Sequence, residues 1–158
     1  MVASLVLIFF YLLLMIRQIA GYRIPCGEKK RGLLFLSLLV AVMHAFLLYQ
    51  WIVRPFGLDL NIVNLFSMCS WLVVVGLCVL VLFRPVELSV IIAFPIAALS
   101  IFLVILFPQV DVVRSVGDRV VLFHIVISTL AFCMLCLASL MAIILAIHER
   151  LLRYKHFK

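Results

Sequence analysis

The stretch that decides the fold is Val120–Ile147, VVLFHIVISTLAFCMLCLASLMAIILAI. It contains no aspartate, glutamate, lysine or arginine, and one histidine. A helix needs roughly 20 apolar residues to cross a bilayer, and this run exceeds that, so it has length to tilt or project. Four more apolar runs precede it: Val2–Ile16, extending toward Ala20, then Leu33–Val53, Ile62–Phe83 and Leu88–Phe107. In lipid only helices and closed barrels satisfy their own backbone. Barrel strands alternate over about ten residues, whereas these runs are continuous, so they read as helices.

Composition agrees. Of 158 residues, 69% are hydrophobic and 12% charged, whereas average soluble domains are about 25% charged. That excludes an ordinary soluble domain, a disordered chain and a disulfide scaffold. The expected architecture is all-α: one polytopic membrane bundle of five transmembrane helices over residues 1–158, embedded in the lipid bilayer. Met1–Ile16 lacks a basic leader and a small-residue cleavage site before Arg17, and reads as a retained first span.

The net charge of +7 does not point to nucleic acid, because the cations cluster at span ends rather than on a wet, aromatic-studded surface. Ten lysines and arginines fall in the first linker, the third linker and the C-terminal tail; three fall in the other loops. By the positive-inside rule the first group is cytoplasmic. The N-terminus is then outside and the C-terminus inside. Tyr49 and Trp51 fall at the expected outer interface and Tyr22 near the inner one.

Two ionisable residues fall inside the spans, His44 and His124. Intramembrane ionisable groups are costly and mark candidate sites. No carboxylate lies deep in a span, which argues against a proton relay or an ion-coupled transporter. His44 shares a helical stripe with Ser37, Ala41, Leu48 and Trp51. His124 heads a stripe of Ser128, Ala131, Leu135, Ala138 and Ala142, a small-residue groove fit for a flat macrocycle or another helix. Neutral imidazole is a strong axial ligand for haem iron, and equally a group that hydrogen-bonds a neighbouring helix. The two histidines differ in expected depth by roughly 7 Å of helix rise, so two sites fit better than one shared haem.

Asn61 can cap the third span; Asn64, one turn in, is placed to bond a neighbour or line an outward pocket. Trp71 lies deeper than the interfacial belt, so its indole N–H needs a partner. His148 and His156 sit in the basic tail, where a solvated role is expected. Cys133 and Cys136 have C-x-x-C spacing but lie in hydrocarbon, where thiols are inert, and no disulfide framework is expected. Pro95 falls inside the fourth span and removes one backbone bond. No nucleotide loop, zinc-protease helix or nucleophile elbow occurs, and no enzyme is expected.

The run Val121-Leu-Phe-His124-Ile-Val-Ile-Ser128-Thr-Leu-Ala-Phe132 and its continuation into an acidic-basic tail resembles a helix of the cytochrome c assembly proteins of the CcsA/ResC/CcmC type. Met43-His44-Ala45 and Leu60-Asn-Ile-Val-Asn64-Leu-Phe-Ser67 resemble the same family, most nearly its YpjD branch of bacterial inner-membrane proteins. The resemblance implies a multi-pass protein of the bacterial inner (plasma) membrane that handles haem b for cytochrome c-type biogenesis. It implies His124 as an outer-face haem ligand, His44 as a second candidate iron ligand, and Ser128, Trp71 and Asn64 as cofactor-lining candidates. The family's tryptophan-rich WWD loop follows the helix matching Val120–Ile147 and is absent from this sequence, as is a later partner histidine. Phe132 stands where the family commonly has tyrosine. These departures imply a truncated member, or a half completed by a second helical half or by other cytochrome c assembly proteins. The alternative expectation is a non-haem accessory subunit of a transport or metal-ion complex.

Overall fold

The computed structural model describes residues 2–22, 27–55, 57–83, 87–108, 112–113 and 119–156. Five helices carry the chain: α1 Val2–Tyr22, α2 Gly27–Ile52, α3 Ile62–Phe83, α4 Glu87–Leu106 and α5 Arg119–His156. All five are long and apolar enough to cross a membrane. The protein is an all-α polytopic bundle. Arg23, Cys26, Arg84, Arg114 and Lys158, which enter the charge and thiol arguments above, lie outside the described residues.

Two boundaries differ from the expected ones. Helix α1 runs to Tyr22, just past the expected extension toward Ala20, because Arg17 and Gln18 are good helix formers and nothing breaks the chain before Gly21. Helix α5 continues through the tail to His156, past the apolar window that ends at Ile147. The extra turns carry an i,i+4 ion pair, Glu149 to Arg153 at 2.7 Å, in the favourable acid-first order.

Each helix buries a narrow stripe. On α1 it is Ser4, Leu7, Tyr11, Leu14 and Gln18, alternating by three and four residues. On α2 it is Ser37, Val40, Ala41, His44, Leu47 and Leu48. Helix α4 presents Ala93, Ala97 and Ala98 beside Phe94 and Ile101. Such small residues let neighbouring backbones approach closely, and α1 and α3 pack most extensively on this helix. Helix α4 stays continuous through Pro95, the loss of one N–H being tolerable in a packed membrane helix.

Helix α5 is attached mainly to α3 and lightly to α4. Its buried stripe is Cys133, Leu137 and Ile144. At Gly76 of α3 an added Cβ would lie 3.0 Å from the Leu137 Cδ1, so the missing side chain sets how closely α5 sits.

The loops at one end form a small sheet: β1 Val53–Arg54, β2 Gly57–Asp59 and β3 Val112–Val113, in that order. The strands pair antiparallel, Val53 with Leu58 and Leu58 with Val113. Gly57, opposite Arg54, has φ of 151°, a conformation that side chains disfavour. The sheet ties the α2–α3 loop to the α4–α5 loop, and its end of the bundle is called the sheet end below. Strands of two or three residues leave no periodic signal in a sequence.

Candidate functional site

Most of the buried polar side chains lie in the half of the bundle nearest the sheet, with Gln18, Ser37 and Ser89 in the other half. On α3 and the residue before it, Asn61, Asn64, Ser67 and Ser70 recur at every third position and all are buried. Beyond them the same stripe turns apolar, with Val74, Leu77 and Cys78. Asn61 caps the helix as its sequence position suggests: its side-chain oxygen accepts from the Val63 N–H at 3.3 Å and its carbonyl from the Leu65 N–H at 2.9 Å.

Asp59, 1% exposed, organises the mouth of this half-core. Its Oδ1 accepts from the Asn61 N–H at 3.4 Å, its carbonyl accepts from the Asn64 Nδ2 at 3.3 Å, and its Oδ2 lies 4.0 Å from the Arg54 guanidinium. Asn64 is therefore turned toward the sheet and holds the loop rather than an open pocket. The Asp59 position was missed in the sequence because a lone carboxylate between apolar spans reads as a solvated loop residue.

His44 is fully buried. Its Nδ1 lies 3.0 Å from the Tyr11 hydroxyl on α1, and its Nε2 lies 3.1 Å from the Ser67 hydroxyl on α3. The Tyr11 ring meets the imidazole edge-on at 5.7 Å and leans on Phe94 of α4 at 5.8 Å. One side chain thus joins three helices directly and a fourth through Tyr11. A neutral imidazole has one donor and one acceptor nitrogen, while each hydroxyl can serve as either. The three groups carry three hydrogens across two contacts. When Tyr11 donates to Nδ1, the Nε2–H donates to Ser67 and the serine hydrogen is left over. In the reverse order the phenolic hydrogen is left over. The first arrangement is the better one, because a small hydroxyl rotor finds a backbone acceptor more readily than a packed phenol. Both ring nitrogens are in either case engaged by the protein's own hydroxyls.

Trp71 finds the partner its depth requires: its indole N–H donates to the Ala41 carbonyl on α2 at 2.7 Å. Ser70 and Ser100 face each other across α3 and α4 at 2.7 Å. Each also lies 2.8 Å from a carbonyl of its own helix, Ser67 and Ala97 respectively. One hydrogen per hydroxyl means that one serine donates across and the other back to its helix.

His124 is set differently. It is exposed, as are Ser128 one turn on and Ala131, Leu135, Ala138 and Ala142 along the same stripe. Among the described residues no hydrogen bond or ion pair engages the His124 ring. The helix is held from Cys133 onward, and its first turns stand largely clear of the bundle.

The sequence-nominated residues therefore divide. His44, Trp71 and Asn64 lie in the polar half-core, each with a protein partner; His124 and Ser128 lie on the uncovered face of α5. His44 and His124 are not brought together. Against known protein families, curated proteins and solved structures, the chain finds no match. Among the described residues no group of three or more histidine, cysteine or acidic side chains converges to hold a metal ion. Cys69, Cys78, Cys133 and Cys136 are free thiols; the Cys133 thiol points at the Cys69 carbonyl at 3.8 Å, a weak contact.

Tyr11 and Ser67 are the partners that the sequence reading missed. A signal for Tyr11 existed: Ser4, Tyr11 and Gln18, seven residues apart, put polar groups on one stripe of an otherwise apolar span.

Proposed function

We propose that this chain is a haem-handling membrane protein of the cytochrome c assembly type, and that α5 presents His124 as a single axial ligand. The observation that carries the reading is the setting of that ring: exposed, without a partner among the described residues, on the least covered helix of the bundle and beside small residues. Haem iron can be held through one proximal imidazole, and the donor set fits that role. His124 would hold the iron, Ser128 would face the macrocycle edge, and the alanine stripe would leave room for its plane. The iron itself would supply the bond by which haem is retained and passed on. The opposite wall and any second ligand would come from another chain or another helical half. Haem b, a bacterial inner-membrane location and cytochrome c assembly partners belong to this proposal, as does an outward-facing sheet end, supported by the charge count. In this proposal the protein's own part is to bind and orient.

His44 is not a ligand in this proposal, because a bond to iron would displace Tyr11 or Ser67. That same satisfied histidine favours a second reading, an accessory subunit whose polar core only holds helices together.

Absorption spectroscopy of the purified chain separates the two. The proposal expects a Soret band with sharp reduced-state bands, kept in Tyr11→Phe and lost in His124→Ala. No haem in the wild type after addition of haemin, or an unchanged spectrum in His124→Ala, overturns it.

A further inference from the structure

We propose that Cys69 and Cys133 form a thiol–disulfide site inside the membrane, oxidised by a lipid-soluble quinone, and that the bridge fastens α5 to α3. The two residues face each other across the main attachment of α5. Cys133 is buried and Cys69 half-buried. Their side chains hydrogen-bond each other, and the Cys133 thiol also reaches the Cys69 carbonyl at 3.8 Å. The same seam is tight farther along, where a Cβ added at Gly76 would meet the Leu137 Cδ1 at 3.0 Å. Two thiols from different helices thus meet where the helices are held close.

Cys136 stands one turn farther along α5, within electrostatic reach of both. It is the poorer partner. Residues three apart on a helix hold their Cβ atoms about 5–6 Å apart, whereas a disulfide needs roughly 3.5–4.5 Å. Helix α5 is continuous through this stretch, so the bridge that leaves it intact runs across to α3.

The setting also selects the oxidant. Cys69 lies seven residues inside α3, about 10 Å of helix rise. The nearest charged residues along the chain are Asp59, ten positions from Cys69, and Arg119, fourteen from Cys133. A thiolate is costly there, so thiols so placed resist water-borne oxidants. Protons and electrons must leave together, to an acceptor dissolved in the same hydrocarbon, and a quinone takes two of each. The half-buried Cys69 thiol adds to the quinone ring; the Cys133 thiol then attacks the Cys69 sulfur and the C–S bond breaks. Two S–H bonds are lost, one S–S bond forms, and the quinone leaves as quinol with both protons and both electrons. The product secures the least covered helix of the bundle by a covalent bond, whether or not that helix carries haem.

The test uses the full chain in phosphatidylcholine vesicles, reduced and then given a short-chain ubiquinone. Free thiols are counted by mass after maleimide labelling of the unfolded chain, and quinol by its absorbance. Loss of two of the five thiols and release of one quinol per chain are expected, with a peptide joining Cys69 to Cys133. Cys69→Ala and Cys133→Ala should abolish both signals, and Cys136→Ala should leave both unchanged. If Cys133→Ala fails to fold, Cys69→Ala, at a half-buried position, decides. Five free thiols and no quinol overturn the proposal, as does a bridge between Cys133 and Cys136. So does oxidised glutathione closing the bridge as fast as the quinone, which would mark an aqueous thiol partner instead.

Discussion

Replacing Tyr11 by phenylalanine removes one oxygen from the core and leaves the ring. The contact with Phe94 and the edge-on approach to His44 survive, so little packing is lost. What changes is the Nδ1 of His44, 3.0 Å from the missing hydroxyl and fully buried. A buried polar atom stripped of its partner costs about 1–3 kcal/mol. Measured interhelical hydrogen bonds in membranes run lower, near 0.6 and at most about 1.7 kcal/mol. The expected loss for Tyr11→Phe is therefore about 1–1.5 kcal/mol. The decisive quantity is the coupling. In a His44→Leu background the phenol has no imidazole to meet, and Tyr11→Phe should become near neutral or stabilising, since it removes a stranded hydroxyl. A double-mutant cycle should thus show about 1 kcal/mol or more of interaction energy. The assay is reversible unfolding in mixed micelles, with the single and double variants side by side. Equal losses for Tyr11→Phe in both backgrounds would refute the argument, because the two groups would then not be speaking to each other.

Other expectations follow from single contacts. Asp59→Ala removes the acceptor used by Asn61 and the counter-charge of Arg54; faster amide exchange in β1–β3 is expected, with the helices' middle turns unchanged. Trp71→Phe loses a hydrogen bond to a carbonyl that its own helix already serves, so a loss of about 0.5–1.5 kcal/mol is expected in the same unfolding assay. Gly76→Leu forces α5 away from α3, and oxidative crosslinking of Cys69 to Cys133 should weaken relative to the wild type. A fluorescent protein fused after Lys158 should be fluorescent and alkaline phosphatase at the same point inactive; the opposite pair of results would reverse the orientation drawn from the charges.

The spans were legible because hydrocarbon thickness imposes a length that few other sequences satisfy. The α2 stripe was legible too: Ser37, Ala41, His44 and Leu48 are all buried, and Trp51 half-buried. So was the need of Trp71 for a partner. The identity of partners was not, because hydrogen bonds such as Tyr11 to His44 join residues 33 positions apart and depend on how whole helices rotate. The sheet was hidden for a different reason. Its strands are too short to show alternation, and β3 finds its place only through β2. The small-residue stripe of α5 read as an interface, yet its own bundle leaves it bare; composition marks a surface that can be approached and does not say by what.

The strand pairing of Leu58 with Val113 also bears on how the chain is made. It links residues 55 positions apart, and like the packing of α1 on α4 it is a long-range contact that no hairpin of consecutive spans supplies. Long-range pairings form late, and this one needs both loops delivered to the same aqueous side. It can close only after four spans have inserted with the correct polarity, while α5 has yet to dock. A chain in which α3 or α4 alone failed to cross would leave β2 and β3 in different compartments, its Asp59 unsheltered and its loops open to proteases. The small sheet is thus a latch that registers whether α3 and α4 have crossed as a pair before the last helix arrives.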